Sequence, residues 1–316
     1  MARRPLLAIL LALLSLVATA CSINAGSEKG PAHLVVTRDF GGGAPLVSRI
    51  EDPIESGETV MRMLMRFSDV KTRYGGRFVN AVNGLESKSA GDSRFDWFYY
   101  VNGIEADVGA AERKVQGSDR VWWDYHDWSG VMRIPAVVGS FPEPFIHGTE
   151  GKRFPVRIDC GQDDADACDE ASTRLDDAGI TPSTSAIGAA AGKEVLRIVI
   201  GTWDEVRADA AARQVEEGPD ESGVFARFDP AAGPDRYELD LLDWHGGTVR
   251  TLGAGAGLVA ATRFEDQAPT WVVTGSDSLG VDRAVALLLE RVLRNRFAVA
   301  SDGRTPIGLP LKPVRR

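Results

Sequence analysis

Histidine and cysteine are scarce in this chain, with four His and three Cys among 316 residues. His33, His126, His147 and His245 are scattered, at no spacing that suits a zinc site or a catalytic triad. No G-x-S-x-G elbow occurs. Gly253 to Gly257 read G-A-G-A-G and run into a β-like segment, where a dinucleotide fingerprint needs G-x-G-x-x-G and a helix. Basic residues are also short, 36 against 45 acidic, for a net charge of −9. A chain of that sign repels nucleic acid and anionic lipid headgroups, so neither is an expected partner. Beyond residue 20 no apolar run approaches the roughly 20 residues that a membrane-spanning helix needs. No catalytic constellation is identified. Asp and Glu are plentiful, so a hydrolase with a carboxylate pair in the second half of the chain stands as an open alternative.

What is present begins at the N-terminus. Arg3 and Arg4 precede an apolar run from Leu6 to Val17 whose one polar member is Ser15. The run has the length of a secretory leader's apolar core, roughly 7–15 residues. Ala18, Thr19 and Ala20 are small, and Cys21 follows. This stretch resembles a bacterial lipobox, with Ala18 in place of the usual Leu. The resemblance implies a signal peptide over 1–20, a lipid on the Cys21 thiol, and a protein held at the outer face of the bacterial cytoplasmic membrane. An ordinary secretory leader is the alternative, and it too exports the chain. Residues 21–32 are polar and Gly-rich and read as a flexible tether.

Cys160 and Cys168 remain. An even pair in an oxidising compartment points to a disulfide, here a local clamp because the loop between them is short. A zinc site is the alternative, with His147 and the acidic run around Asp163 as the nearest other donors.

Residues 33–128 read as the first folded domain. Leu34 to Thr37 and Pro45 to Ile50 form a hairpin about Gly41-Gly42-Gly43. Thr59 caps a helix through Phe67 with Val60, Met63, Leu64 and Phe67 on one face. Arg94 to Val101 is a strand that ends in Asn102-Gly103, a hairpin-turn pair because both residues accept positive φ. Arg120 to Trp128 is a last aromatic strand. The set predicts an α+β, β-grasp-like unit. On alternating strands one set of aromatics builds the core. The other is left to form a binding platform. The candidates are Trp97, Tyr99, Tyr100, Trp122, Trp123 and Tyr125.

Glu58-Thr59-Val60, Val82-Asn83-Gly84, Trp97 to Gly103 (W-F-Y-Y-V-N-G) and Asp119 to Tyr125 (D-R-V-W-W-D-Y) follow one another in that order. Together they resemble the domain at the C-terminus of transcobalamin and intrinsic factor, known in bacteria as DUF4430. The resemblance implies a β-domain that closes over one side of a corrinoid such as cobalamin. It fixes no individual ligand contact, and the helical barrel that holds the corrinoid's other side has no counterpart in this chain.

Residues 129–152 form a Pro-containing linker whose Phe141, Phe145 and Ile146 want burial. Residues 153–316 alternate strands and helices and predict an α/β domain with a mixed sheet. Helices are expected from Ala167 to Ala178 with Gly179 as terminator, from Asp204 to Val215, and from Leu279 to Leu293. The remainder after Ala300 reads as a tail. The strand-to-helix junctions that end in the capping residues Asp204 and Asp277 expose helix amides that suit an anion. His245 falls in a hairpin turn. The expected function is a lipid-anchored extracytoplasmic protein that binds a small ligand, a corrinoid among the candidates, and serves a membrane transporter. The alternative is an envelope scaffold whose aromatic surface docks a protein or wall polymer.

Overall fold

The computed structural model describes residues 30–230, 237–264 and 267–314. The expected signal peptide, Cys21 and the tether through residue 29 lie outside the described residues. The chain is mixed α/β with several sheets. Among the described residues, no helix is long and apolar enough to cross a membrane.

The first part comprises β1 (Ala32–Arg38), β2 (Gly42–Glu51), α1 (Val60–Phe67), β3 (Val70–Arg73), β4 (Phe78–Val82) and β5 (Leu85–Glu86), then β6 (Lys88–Ala90), β7 (Ser93–Val101), β8 (Ile104–Glu105) and β9 (Arg120–Asp127). The main sheet has the order β2-β1-β9-β7-β6, with β8 paired to β7. At its centre β1 and β9 run parallel, with Val36 beside Trp123, and antiparallel β2 and β7 flank them. The helix α1 covers one face. Thr59 accepts the Arg62 N–H at 3.2 Å, and Val60, Met63 and Leu64 are buried under the sheet, as the sequence periodicity predicts. Asn102 and Gly103, both at positive φ, join β7 to β8 as the expected two-residue turn. Gly103 is also needed for close approach, because a Cβ there would lie 2.7 Å from the Val137 carbonyl oxygen.

The second part comprises β10 (Val156–Cys160), α2 (Ala165–Asp177), β11 (Ser183–Ala186), β12 (Leu196–Thr202), α3 (Trp203–Val206), α4 (Ala210–Glu217), α5 (Pro219–Ser222) and β13 (Ala226–Pro230). It continues with β14 (Tyr237–Leu242), β15 (Thr248–Leu252), β16 (Gly257–Thr262), β17 (Thr270–Gly275), α6 (Ser278–Val285), α7 (Glu290–Leu293), β18 (Ala298–Ser301) and β19 (Ile307–Leu309). A seven-stranded sheet runs β11-β10-β12-β17-β16-β18-β19, parallel as far as β17 and antiparallel beyond it. β13, β14 and β15 make a separate three-stranded sheet.

Strand alternation divides the core. Ile198, Ile200, Trp271 and Val273 pack with α2, α6 and the linker side chains Phe141 and Phe145. Val199, Val272, Leu258 and Ala260 face the other way, toward Trp203, Phe225 and Leu241. Phe40, Tyr100 and Trp122 of the first part enter this second cluster. The two parts therefore share a continuous apolar core.

Three expectations are corrected. The helix from Asp204 to Val215 is two helices, because Asp209 restarts it by accepting the Ala211 N–H at 3.0 Å. The helix from Leu279 to Leu293 stops at Val285, and Leu289 is extended at φ −138° and ψ 132°. The break lets the adjacent Leu287 and Leu288 both reach the core, and packing overrides propensity. The tail after Ala300 contributes β19, which closes the sheet beside β18.

Cys160 and Cys168 are joined as a disulfide that ties the end of β10 to the first turns of α2. Both thiols are consumed, which removes the zinc alternative for them. The paired variant Cys160→Ala/Cys168→Ala should lose about 2 kcal/mol of unfolding free energy. A urea titration under oxidising conditions measures it, and an unchanged midpoint would show that the clamp adds no stability.

Candidate functional site

The six candidate aromatics divide between the two faces of the first sheet. Trp97 lies opposite Tyr125 and Tyr99 opposite Trp123 on the α1 side, with ring centroids 5.1 and 4.9 Å apart. Tyr100 and Trp122 lie on the other side, 5.6 Å apart, and both meet the edge of Phe297. Five of the six are buried, and Tyr99 is half-buried. The expectation that one alternate set stays open to water is therefore corrected. The face of Tyr100 and Trp122 is covered by the second part of the same chain, whose Phe225 and Phe297 bury it.

That covered face is built around Asp124. Its carboxylate is fully buried and accepts four hydrogen bonds. The donors are the Thr37 hydroxyl, the Phe40 N–H at 3.0 Å, the Gly41 N–H at 2.9 Å and His126 Nδ1 at 2.9 Å. Trp122 Nε1 donates in turn to Thr37 Oγ1 at 2.7 Å. The His126 ring is sandwiched between Phe40 and Phe98, with centroids 4.4 and 4.5 Å away. Gly41, at φ 75°, admits no side chain, since a Cβ would lie 1.9 Å from the Asn295 carbonyl oxygen. His126 is thus a packed, hydrogen-bonded component of the junction, which sequence spacing could not show.

Beside this junction a cleft of about 250 Å³ opens between the two parts. The first part supplies Ile104 to Val108 and Arg113, and the second supplies Phe154, Lys193 and Arg263 among others. The Tyr99 hydroxyl donates to the Val108 carbonyl and fixes that wall. Arg263 Nη1 reaches Asp107 at 2.9 Å across the two parts. Glu105 accepts from Arg133 Nε at 3.0 Å, and Arg133 also pairs with Asp107. Burial pushes the Glu105 carboxyl up, against the opposing pull of Arg133. Arg113 is buried; its Nη1 donates to the Lys114 carbonyl at 3.1 Å, and its Nη2, without a hydrogen bond, lies 3.9 Å from Asp119 Oδ2. The cleft thus offers charges of both signs beside apolar surface.

A second arrangement lies where β10 and β12 end. The chain leaves β10 toward α2 on one face of the sheet and β12 toward Trp203 on the other, the switch-point geometry of open α/β sheets. Asp164 Oδ2 and Glu205 Oε2 both accept the Thr202 N–H, at 3.1 and 3.2 Å. Glu205 Oε1 accepts the Gln162 N–H at 2.8 Å. Burial and the neighbouring Glu205 push the Asp164 carboxyl up to about 6. Burial works to raise Glu205 as well, but the hydrogen bonds from Asp164, Gln162 and Thr202 outweigh it and hold Glu205 low. The cap is Thr202 and not the expected Asp204, and the anion site expected at this junction is filled by the chain's own carboxylates. At the other junction Asp277 fills the same role for Gly280 and Gly255. One proton held between two carboxylates is able to serve in acid–base chemistry. Among the described residues no group of three or more His, Cys, Asp or Glu is placed to hold a metal ion. His245 lies in the turn between β14 and β15, as expected.

Two outcomes test these sites. Asp124→Ala leaves four buried donors without their acceptor and should cost about 3 kcal/mol or more in a denaturant titration. Because the folded value of Asp164 lies above its ordinary one, its protonated form favours the folded chain, and that contribution is lost as pH rises through about 6. Glu205→Gln should move the Asp164 midpoint down, as read by carboxyl-carbon NMR.

Comparison with known families matches residues 57–127 to a domain of unknown function, DUF4430. The matched span runs from just before Thr59 through the last residue of β9, so β1 and β2 complete its sheet from outside it. No curated protein matches the chain.

Proposed function

We propose that this chain is an exported, lipid-anchored protein that binds a small polar ligand in the cleft between its two parts. The observation that carries the reading is that cleft, about 250 Å³, in which Glu105, Asp107, Arg113 and Arg263 converge from opposite walls. Clefts between packed units are the usual place for small-molecule sites, and a few placed charges beside apolar surface give orientation. The volume is just below the ~300–1,000 Å³ of common ligand pockets, which favours a ligand smaller than a corrinoid. A corrinoid would have to lie across the mouth. The parallel pairing of β1 with β9, flanked by antiparallel strands and crossed by α1, supports the β-grasp-like, transcobalamin-like reading of the first domain. The aromatic surface is buried within the chain, which argues against the scaffold alternative. Delivery to a membrane transporter follows from the anchor and the cleft taken together, with Cys21 as the lipid attachment.

Calorimetric titration of the soluble form from Ser22 onward tests the ligand reading, with free amino acids, small dicarboxylates and cobalamin as probes. We expect saturable binding of a small charged probe, lost in Ala268→Trp, where a large ring fills the cleft. A folded protein that binds none of the small probes would overturn the reading, and saturable cobalamin binding would replace it with the corrinoid one. For the anchor, Cys21→Ser should move the protein from the detergent to the aqueous phase in a partitioning assay. An unchanged distribution would remove the lipid.

A further inference from the structure

Among the described residues the outer side of β2 is an unpaired sheet edge. β2 is ten residues long and ends the order β2-β1-β9-β7-β6, with β1 as its one neighbour among those residues. A long edge is a template for another strand unless it is blunted. Pro45, Arg49 and the buried Glu51 at its end blunt β2, which leaves Leu46 to Ser48 as its open stretch. Leu46 and Ile50 are 42% and 61% exposed, two positions either side of Ser48 and on its face. Ser48 lines a groove of about 450 Å³ between this edge and α7.

The charge in that groove is unbalanced. Arg120 Nη1 and Arg294 Nη2 both contact the same carboxylate oxygen, Glu290 Oε1, at 3.0 and 3.3 Å. Two guanidinium groups over one carboxylate leave one positive charge in excess, on a chain whose net charge is −9. Burial and the nearby Arg120 hold His33 below the usual histidine range. A strand added to β2 would place alternate side chains at the mouth of the groove, where Leu46 and Ile50 supply apolar contacts and the solvent-exposed Arg294, which shares Glu290 with Arg120, supplies positive charge. Strand addition by a second copy is disfavoured, because it would bring a second Arg49 and a second Arg294 toward a groove that is already positive.

We propose that the edge of β2 takes up an extended segment of a partner protein carrying an acidic side chain, its carboxylate seated against Arg294. The docking surface is separate from the ligand cleft and does not depend on what that cleft binds.

Fluorescein-labelled peptide Thr-Val-Asp-Val-Thr-Val, acetylated and amidated apart from the dye, and its counterpart with Lys for Asp are the probes. Fluorescence anisotropy with the full soluble chain should show the Asp peptide binding at least about tenfold tighter than the Lys peptide. Arg294→Glu should reverse that preference, since this side chain is 61% exposed and its replacement spares the core. Ile50→Lys should weaken both peptides, with circular dichroism confirming an intact fold for each variant. Binding of neither peptide, or binding indifferent to Arg294→Glu, would overturn the proposal. Self-association in sedimentation that Ile50→Lys abolishes would overturn it in favour of a second copy.

Discussion

Everything at the centre of this molecule depends on one buried carboxylate. Asp124 sits on the middle strand of the first sheet, fully shielded from water, with a hydroxyl, two backbone amides and an imidazole directed at it. A carboxylate in that position is tolerable only when each oxygen is satisfied, because an unpaired buried charge costs several kcal/mol. The satisfaction is also what shapes the surroundings. Holding the Phe40 and Gly41 amides fixes the turn between β1 and β2 with Asp39 and Phe40 at positive φ, an arrangement that bulky residues adopt only when their neighbours impose it. Phe40 is thereby aimed out of the sheet and into the second part, where it stacks on His126 and Trp244 and meets the edges of Phe225 and Phe297. The polar network and the aromatic cluster are one device: the first orients the rings, and the rings keep water from the first.

Much of this architecture was legible in the residues. The Thr59 cap, the Val60-Met63-Leu64 stripe, the Asn102-Gly103 turn and the alternation of Trp97 to Val101 each carry local chemistry that tertiary contacts do not reverse. The disulfide was legible because two cysteines eight positions apart had few other uses. Failures occur where distant sequence decides. From β7 and β9 alone, one aromatic face has to be left over. That face is covered by Phe225 and Phe297, more than a hundred residues further on, and nothing near Trp122 announces them. The interrupted helix after Asp277 fails in the same way: its Leu-rich period is sound, but three successive leucines cannot all face one side of a helix.

Neither candidate site could be read from spacing. Arg263 and Asp107 are 156 positions apart, and they meet because the linker carries the chain around the junction. Asp164 and Glu205 each resemble an ordinary capping acid in sequence, and Glu205 does form a capping box with Thr202. Their shared environment arises only because β10 and β12 are neighbours whose following loops depart to opposite faces. Gly161 and Gly201 leave the room, since a Cβ at either position would press on the Glu205 carboxylate, at 2.6 and 3.1 Å. Glycines that look like ordinary loop residues in the sequence are thus set by a side chain more than forty positions away in one case and four in the other.

The shared core also constrains what kind of motion the cleft can use. A hinge that opened the two parts widely would expose Phe40, Tyr100, Trp122 and Phe297 together and leave Asp124 and His126 facing a partly wetted gap. The apolar area and the buried charge both oppose that. The cleft walls are tied more loosely, through the exposed Arg133 side chain and the Arg263 pair with a half-exposed Asp107, where screening keeps each contact weak. Adjustment to a ligand is therefore cheapest in the loop from Ile104 to Val108, with the sheets behind it fixed. Two different stiffnesses are built into one junction: a rigid aromatic centre around Asp124, and a rim of surface ion pairs that can exchange partners without disturbing it.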